Sequence, residues 1–85
     1  MALNFSKNFK LRERGQRLIP SLTQTFSKGP SYFVQGASPV YVSRGEGCYV
    51  WDVDNNKYID YTGALGAIIL GYNNAEVNRA ITEQL

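Results

Sequence analysis

The chain carries no histidine and only one cysteine. The first absence removes the commonest general base and the commonest metal ligand. The second excludes a disulfide within the chain, and a lone Cys48 suits a reducing compartment or a buried thiol equally. No apolar run approaches the roughly 20 residues that a membrane-spanning helix requires. The start, Met1-Ala2-Leu3-Asn4-Phe5, has no basic stretch followed by a long apolar one, so no secretory signal is read there. A net charge of +2 is too small to point to nucleic acid. A chain of 85 residues buries only roughly 60–65% of its unfolded surface, which makes for a small core.

What is present reads as an α+β order: an amino-terminal helix, a three-stranded antiparallel meander, then the start of a further helix. Residues 6–19 predict a polar helix whose narrow apolar stripe is Leu11, Gly15, Leu18 and Ile19. Pro20 stops it, and Gly15 weakens it by roughly 1 kcal/mol against alanine. Residues 21–39 show no sustained period and form a long connection, of the kind that is usually functional or mobile.

The meander is predicted over residues 40–61. Its strands are Val40–Arg44, Cys48–Val53 and Lys57–Tyr61, with Gly45-Glu46-Gly47 and Asp54-Asn55-Asn56 as turns. Alternation puts Tyr49, Trp51 and Val53 on one face and Cys48, Val50 and Asp52 on the other. Residues 62–71 are apolar and punctuated by glycine. A helix then starts where Asn73 and Glu76 have capping-box spacing, and Val77, Ala80, Ile81 and Leu85 form its apolar face. The pattern breaks off at Leu85 without a capping glycine, so residues 1–85 are expected to be an incomplete segment. Poor folding in isolation follows, since the end helices lack surfaces to bury against.

Several features invite a site. Asp52-Val53-Asp54-Asn55-Asn56 opens like a calcium loop, but Lys57 and Gly63 stand where that loop wants glycine and glutamate, so a hairpin turn is read instead. Lys7, Lys10, Arg12, Arg14 and Arg17 cluster, but Glu13 interrupts a short run, as on a solvated helix face. Gly63, Gly66 and Gly71 fit no dinucleotide or Walker spacing. They suit either a tight turn or a backbone that passes close to a ligand. Tyr49, Trp51, Tyr58 and Tyr61 read as core or interface packing rather than as a stacking platform for bases. No nucleophile–base pair and no acid–base couple is complete.

The string from Arg44 to Tyr61, RGEGCYVWDVDNNKYIDY, strongly resembles a segment of pyridoxal-phosphate-dependent class III aminotransferases, especially the glutamate-1-semialdehyde aminomutase-like group. The resemblance runs on through Leu70-Gly71-Tyr72 to Ala75-Glu76-Val77 and back to Leu18-Ile19-Pro20. It covers residues 11–85. It implies the amino-terminal part of a fold type I transferase that works as a homodimer in the cytoplasm on an amino donor and a carbonyl acceptor, without nucleic acid or membrane. It also implies pyridoxal 5'-phosphate as cofactor, with its lysine, its aspartate and its phosphate-binding turn outside this chain. No catalytic residue and no metal ligand is then expected within the 85 residues, and the chain by itself is expected to be inactive.

The same resemblance assigns a substrate pocket. Its loop falls on Gly63, Ala64, Leu65, Gly66 and Ala67. Lys28 falls where the aminomutases carry a carboxylate-binding arginine, and Thr25 on a nearby serine. Lysine is a point charge without the bidentate fork of arginine, so Lys28 reads either as an anion ligand or as a solvated loop residue. Leu65 stands for the aminomutases' tryptophan, Ser21-Leu22 for Gly-Gly and Asn55 for a turn glycine. Residues 29–38 form a connection about two residues longer than theirs. The stretch Thr23–Pro30 is more similar to relatives that act on sugar or cell-surface precursors. The reading is therefore an aminotransferase segment, with an aminomutase or a stand-alone interaction module as alternatives.

Overall fold

The computed structural model describes residues 3–85; Met1 and Ala2, the first two residues of the start read above, lie outside them. Helix α1 spans Ser6–Leu18. Asn4 Oδ1 accepts the Ser6 amide at 3.0 Å, and the next two amides are met from the far side of the molecule, as described below. Ile19 is extended (φ −124°, ψ 112°), as expected of a residue before proline.

The predicted apolar stripe docks only in part. Of its residues Gly15 is buried and Leu11 half-buried, whereas Leu18 stays 65% exposed; Phe5 and Asn8, outside the stripe, are buried. Hydropathy misread this helix because its anchor is a polar side chain. Gly15 is where the chain comes closest: a Cβ there would overlap the Tyr41 hydroxyl. That approach offsets the helix propensity that glycine gives up.

The connection is more ordered than its sequence suggests. It folds into three single 3-10 turns, Pro20–Leu22, Phe26–Lys28 and Pro30–Tyr32. Ser21 and Leu22 are both left-handed (φ 57° and 62°), a conformation in which a side chain crowds its own backbone.

The meander forms as predicted, with strands β1 Val42–Glu46, β2 Tyr49–Asp52 and β3 Lys57–Ile59 in antiparallel order β1-β2-β3. The first turn is tighter than expected. Glu46 pairs with Tyr49, so Gly45 and Glu46 belong to the strand and only Gly47-Cys48 turns, with Gly47 at φ 57°. Between Val42 and Arg44 the register slips. Ser43 fills the bulge, and its hydroxyl donates to the carbonyls of Trp51 and Asp52 at 3.1 and 2.9 Å.

The two faces of β2 differ as alternation requires. Val50 and Asp52 are buried. On the outer face the Arg44 guanidinium lies over Trp51 and the Lys57 ammonium over Tyr49, each 3.7 Å from the ring centre. The aromatic residues are therefore not core within this chain, and Tyr61 is 92% exposed. Among the described residues the buried apolar ones are Phe5 and Val50.

After β3 a single turn, α2, spans Gly63–Gly66, with Ala64 and Leu65 left-handed (φ 51° and 62°). Gly47 and Tyr72 then form an isolated antiparallel bridge with two amide–carbonyl bonds of 3.1 and 2.8 Å. Helix α3 spans Ala75–Gln84. Its cap is Asn74, one residue later than predicted, and Asn74 Oδ1 accepts the Val77 amide at 3.0 Å. Asn73 is left-handed instead, so the box with Glu76 does not form. No residue of α3 is buried; its apolar face, with Val77 and Ile81, is open. Among the described residues no helix is long and apolar enough to cross a membrane.

Candidate functional site

Two carboxylate centres organise the sheet, and a groove lies beside them. The first is built by the β2–β3 turn. Asp52 Oδ1 accepts the amides of Asp54 and Asn56 at 3.0 and 2.8 Å, which closes the turn as an Asx motif. Its Oδ2 accepts from Asn8 Nδ2, Asn56 Nδ2 and the Tyr58 hydroxyl at 3.1, 2.9 and 2.9 Å. Asp54 reaches the start of α1. It accepts the Lys7 and Asn8 amides at 2.9 Å each, and Asn8 Nδ2 at 3.0 Å.

The calcium-like spacing is thus spent on holding a helix. An ionised carboxylate at the positive end of α1 is the favoured partner there. Burial opposes ionisation of both groups, yet their donors outweigh it and both carboxyls lie below the usual range. Tyr58, by burial and by its bond to Asp52, is pushed up to about 12.

The second centre is Asp60. The Tyr72 hydroxyl donates to its Oδ2 at 2.6 Å, and the amides of Thr62 and Gly63 donate to Oδ1 at 2.8 and 3.1 Å. The Tyr72 bond is the main reason its carboxyl is held low; the amides and the Lys28 charge add to it. Tyr72 in turn is pushed up to about 12.

The groove, about 820 Å³ and open, has Asp60 and Tyr58 in its wall. Ile19 and Leu22 wall it from the end of α1, Thr23 and Lys28 from the connection, Val40 and Tyr41 from the lead into β1, and Val50, Tyr58 and Asp60–Thr62 from the sheet. Its lining is mostly apolar, with Lys28 as its cation.

The residues expected to form a pocket separate into three places. Lys28 is half-buried and lines the groove. Thr25 sits behind that lining, where its carbonyl accepts the Lys28 amide at 2.9 Å and the Thr23 hydroxyl at 3.0 Å. Gly63 lines a second cleft of about 350 Å³ together with Cys48, Asp60 and Tyr72. Ala64 is half-buried, and Leu65, Gly66 and Ala67 are exposed. Asp60 lines both clefts.

Sequence reasoning missed Asn8, Tyr41, Tyr58, Asp60 and Tyr72. The signal for Asp60 was present, since an aspartate two and three residues before Thr62-Gly63 is an Asx-turn spacing. Asn8 left no such signal.

A pyridoxal phosphate group needs several donors converging on its phosphate. The groove offers one ammonium, Lys28. The described residues fit one wall of such a site and do not hold the group.

The family model described as aminotransferase class-III matches residues 32–85. The chain is similar to a glutamate-1-semialdehyde 2,1-aminomutase of Methanothrix thermoacetophila, 41% identical over 98% of this chain and 18% of that protein. A second aminomutase, of Nitrosospira multiformis, is 40% identical over 89% of this chain and 17% of that protein. The FumI protein of Sphingopyxis sp. MTA144, solved in its PLP internal aldimine form, superposes with a TM-score of 0.82 at 32% identity, covering 93% of this chain and 19% of that one. An omega-transaminase of Sphaerobacter thermophilus shares the fold with a TM-score of 0.77 at 23% identity, over 96% and 19% of the two chains. The chain spans under a fifth of the length of these relatives.

Proposed function

This chain belongs to the class III aminotransferase family, and on that premise we propose that it is the amino-terminal segment, residues 1–85, of a pyridoxal-phosphate-dependent aminotransferase. The parent moves an amino group between an amino donor and a carbonyl substrate, as a cytoplasmic homodimer. The match across residues 32–85 carries this reading.

Pyridoxal phosphate supplies the electron sink for carbon-acid chemistry when bound. This chain's part is to shape the space beside it. The apolar lining of the groove excludes water from one side of the substrate. Lys28 attracts an anionic substrate group, and Thr25 fixes the backbone that carries Lys28. Asp60 already accepts from three donors, so it needs no hydrogen bond from Lys28. Gly63–Ala67, entered through that same carboxylate, form the substrate loop.

A second reading, glutamate-1-semialdehyde 2,1-aminomutase, is favoured by the names of the relatives at 41% and 40% identity. Leu65, where those enzymes are expected to carry tryptophan, favours the aminotransferase. A stand-alone interaction module is the remaining alternative.

The test is a substrate screen of the full-length parent beside the 85-residue chain. Amino transfer by the parent and none by the chain is expected. Turnover by the chain alone, or aminomutase activity as the parent's main reaction, sinks the proposal in its first form. Lys28→Met in the parent should raise KM for an anionic substrate about tenfold or more while kcat changes little, since it removes binding rather than chemistry.

A further inference from the structure

Asn8 is fully buried on a helix that is mostly polar and exposed. A buried amide is tolerated only when its hydrogen bonds are made. Asn8 makes all four that its side chain allows. Nδ2 donates to Asp52 and Asp54 at 3.1 and 3.0 Å. Oδ1 accepts the backbone amides of Val40 and Tyr41 at 2.8 and 2.9 Å. One side chain thereby ties together α1, the lead into β1 and the β2–β3 turn.

The tied pieces are groove pieces. Val40 and Tyr41 line the groove, and so does Tyr58, whose hydroxyl shares the Asp52 oxygen that Asn8 uses. Ile19 and Leu22, at the other end of α1, complete a wall. Among the described residues the buried apolar ones are Phe5 and Val50, so hydrogen bonds carry much of this bracing.

We infer that Asn8 is a positioning residue of the groove, a single brace that sets three of its walls through Asp52, Asp54 and the Val40–Tyr41 backbone. The inference rests on the reading of the groove as a substrate wall only for its catalytic consequence; the bracing stands on the hydrogen bonds. It assigns Asn8 a role in substrate fit although it does not line the groove.

Amide hydrogen exchange in the full-length parent, followed by NMR, tests it. In the unsubstituted parent the Lys7, Asn8, Val40 and Tyr41 amides should be protected. In Asn8→Ala the Val40 and Tyr41 amides should exchange about tenfold or more faster, and the Tyr58 ring signals should shift. The Asp60 and Tyr72 amides, bonded to the carbonyls of Cys48 and Gly47, should keep their rates. Asp54→Asn, a near-isosteric change, should speed exchange at Lys7 far more than at Val40 and Tyr41.

Protection that falls equally at all these amides in Asn8→Ala would reduce Asn8 to general stability and overturn the inference. Val40 and Tyr41 staying protected in that variant, or unprotected without it, would overturn it too. Unchanged kcat and KM for amino transfer in the Asn8→Ala parent, with this exchange pattern present, would instead count against the groove as substrate wall.

Discussion

The body of the chain, residues 3–60, and its arm, residues 61–85, are held together by different physics. The body closes around a carboxylate pair whose hydrogen-bonding capacity is filled by backbone amides, Asn8, Asn56 and Tyr58. The arm touches the body through the Gly47–Tyr72 bridge and through Asp60, which accepts from the Tyr72 hydroxyl and from the Thr62 and Gly63 amides. Beyond them, Leu65, Ile69 and Leu70 are 61%, 86% and 69% exposed, and α3 buries nothing. The segment thus has a polar core whose hydrogen bonds are met internally, while much of its apolar surface stays open. The rule that polar means outside and apolar means inside runs nearly backwards here.

The sharpest way to break this contrast is to remove its centre. Asp52→Ala deletes the acceptor of five hydrogen bonds and leaves buried donors unmet. It should cost about 3–5 kcal/mol and abolish the cooperative unfolding transition seen by circular dichroism. Ile81→Ala in the arm should change the same transition by less than about 0.5 kcal/mol. Equal effects would show that the arm is part of the cooperative unit.

Acid tests the contrast next. The carboxyls of Asp52, Asp54 and Asp60 lie below their ordinary value of 3.8 in the folded chain. Their contribution is therefore complete above about pH 4 and fades as pH falls through the lower folded values. Thermal midpoints should drop only below pH 4, and Asp54→Asn should flatten that drop. In alkali the sign reverses. Tyr58 and Tyr72 are raised to about 12, so what they contribute is present below pH 10 and is lost between pH 10 and 12.

How much of this was legible is uneven. The meander announced itself through alternating Val50 and Asp52 against Tyr49 and Trp51, and through the Asn55 turn, which is left-handed (φ 72°). Pro20 marked the end of α1. The docked face of α1 was illegible, because hydrophobic period finds apolar contacts and Asn8 docks by hydrogen bonds. The first 3-10 turn was illegible because its left-handed steps fall on Ser21 and Leu22, which local propensity would not place there. For the pocket, the resemblance named Lys28, which lines the groove, while the groove's tyrosines came only from the fold.

Those left-handed residues give a finer test. Ser21→Gly in the body should stabilise it by about 0.5–1 kcal/mol, by relieving strain at φ 57°. Leu65→Gly relieves a similar strain at φ 62° but lies in the arm. It should leave the denaturation midpoint unmoved while altering the amide shifts of residues 62–68. The smallest effect is expected at Arg79–Glu83, an exposed pair at 2.9 Å on α3. Glu83→Gln should shift stability by at most a few tenths of a kcal/mol, and less in high salt.

The stacking on the outer face of the sheet has one further consequence. Trp51 is the chain's only tryptophan, and it lies under the Arg44 guanidinium with the Tyr49 ring 6.3 Å away. Light absorbed by Tyr49 is within easy transfer range of Trp51, and the cation above the indole tunes its emission. The molecule therefore carries a built-in fluorophore that reports on the meander and is dark to events in α3, so an emission-detected melt and a helix-detected melt of the same sample record two different objects.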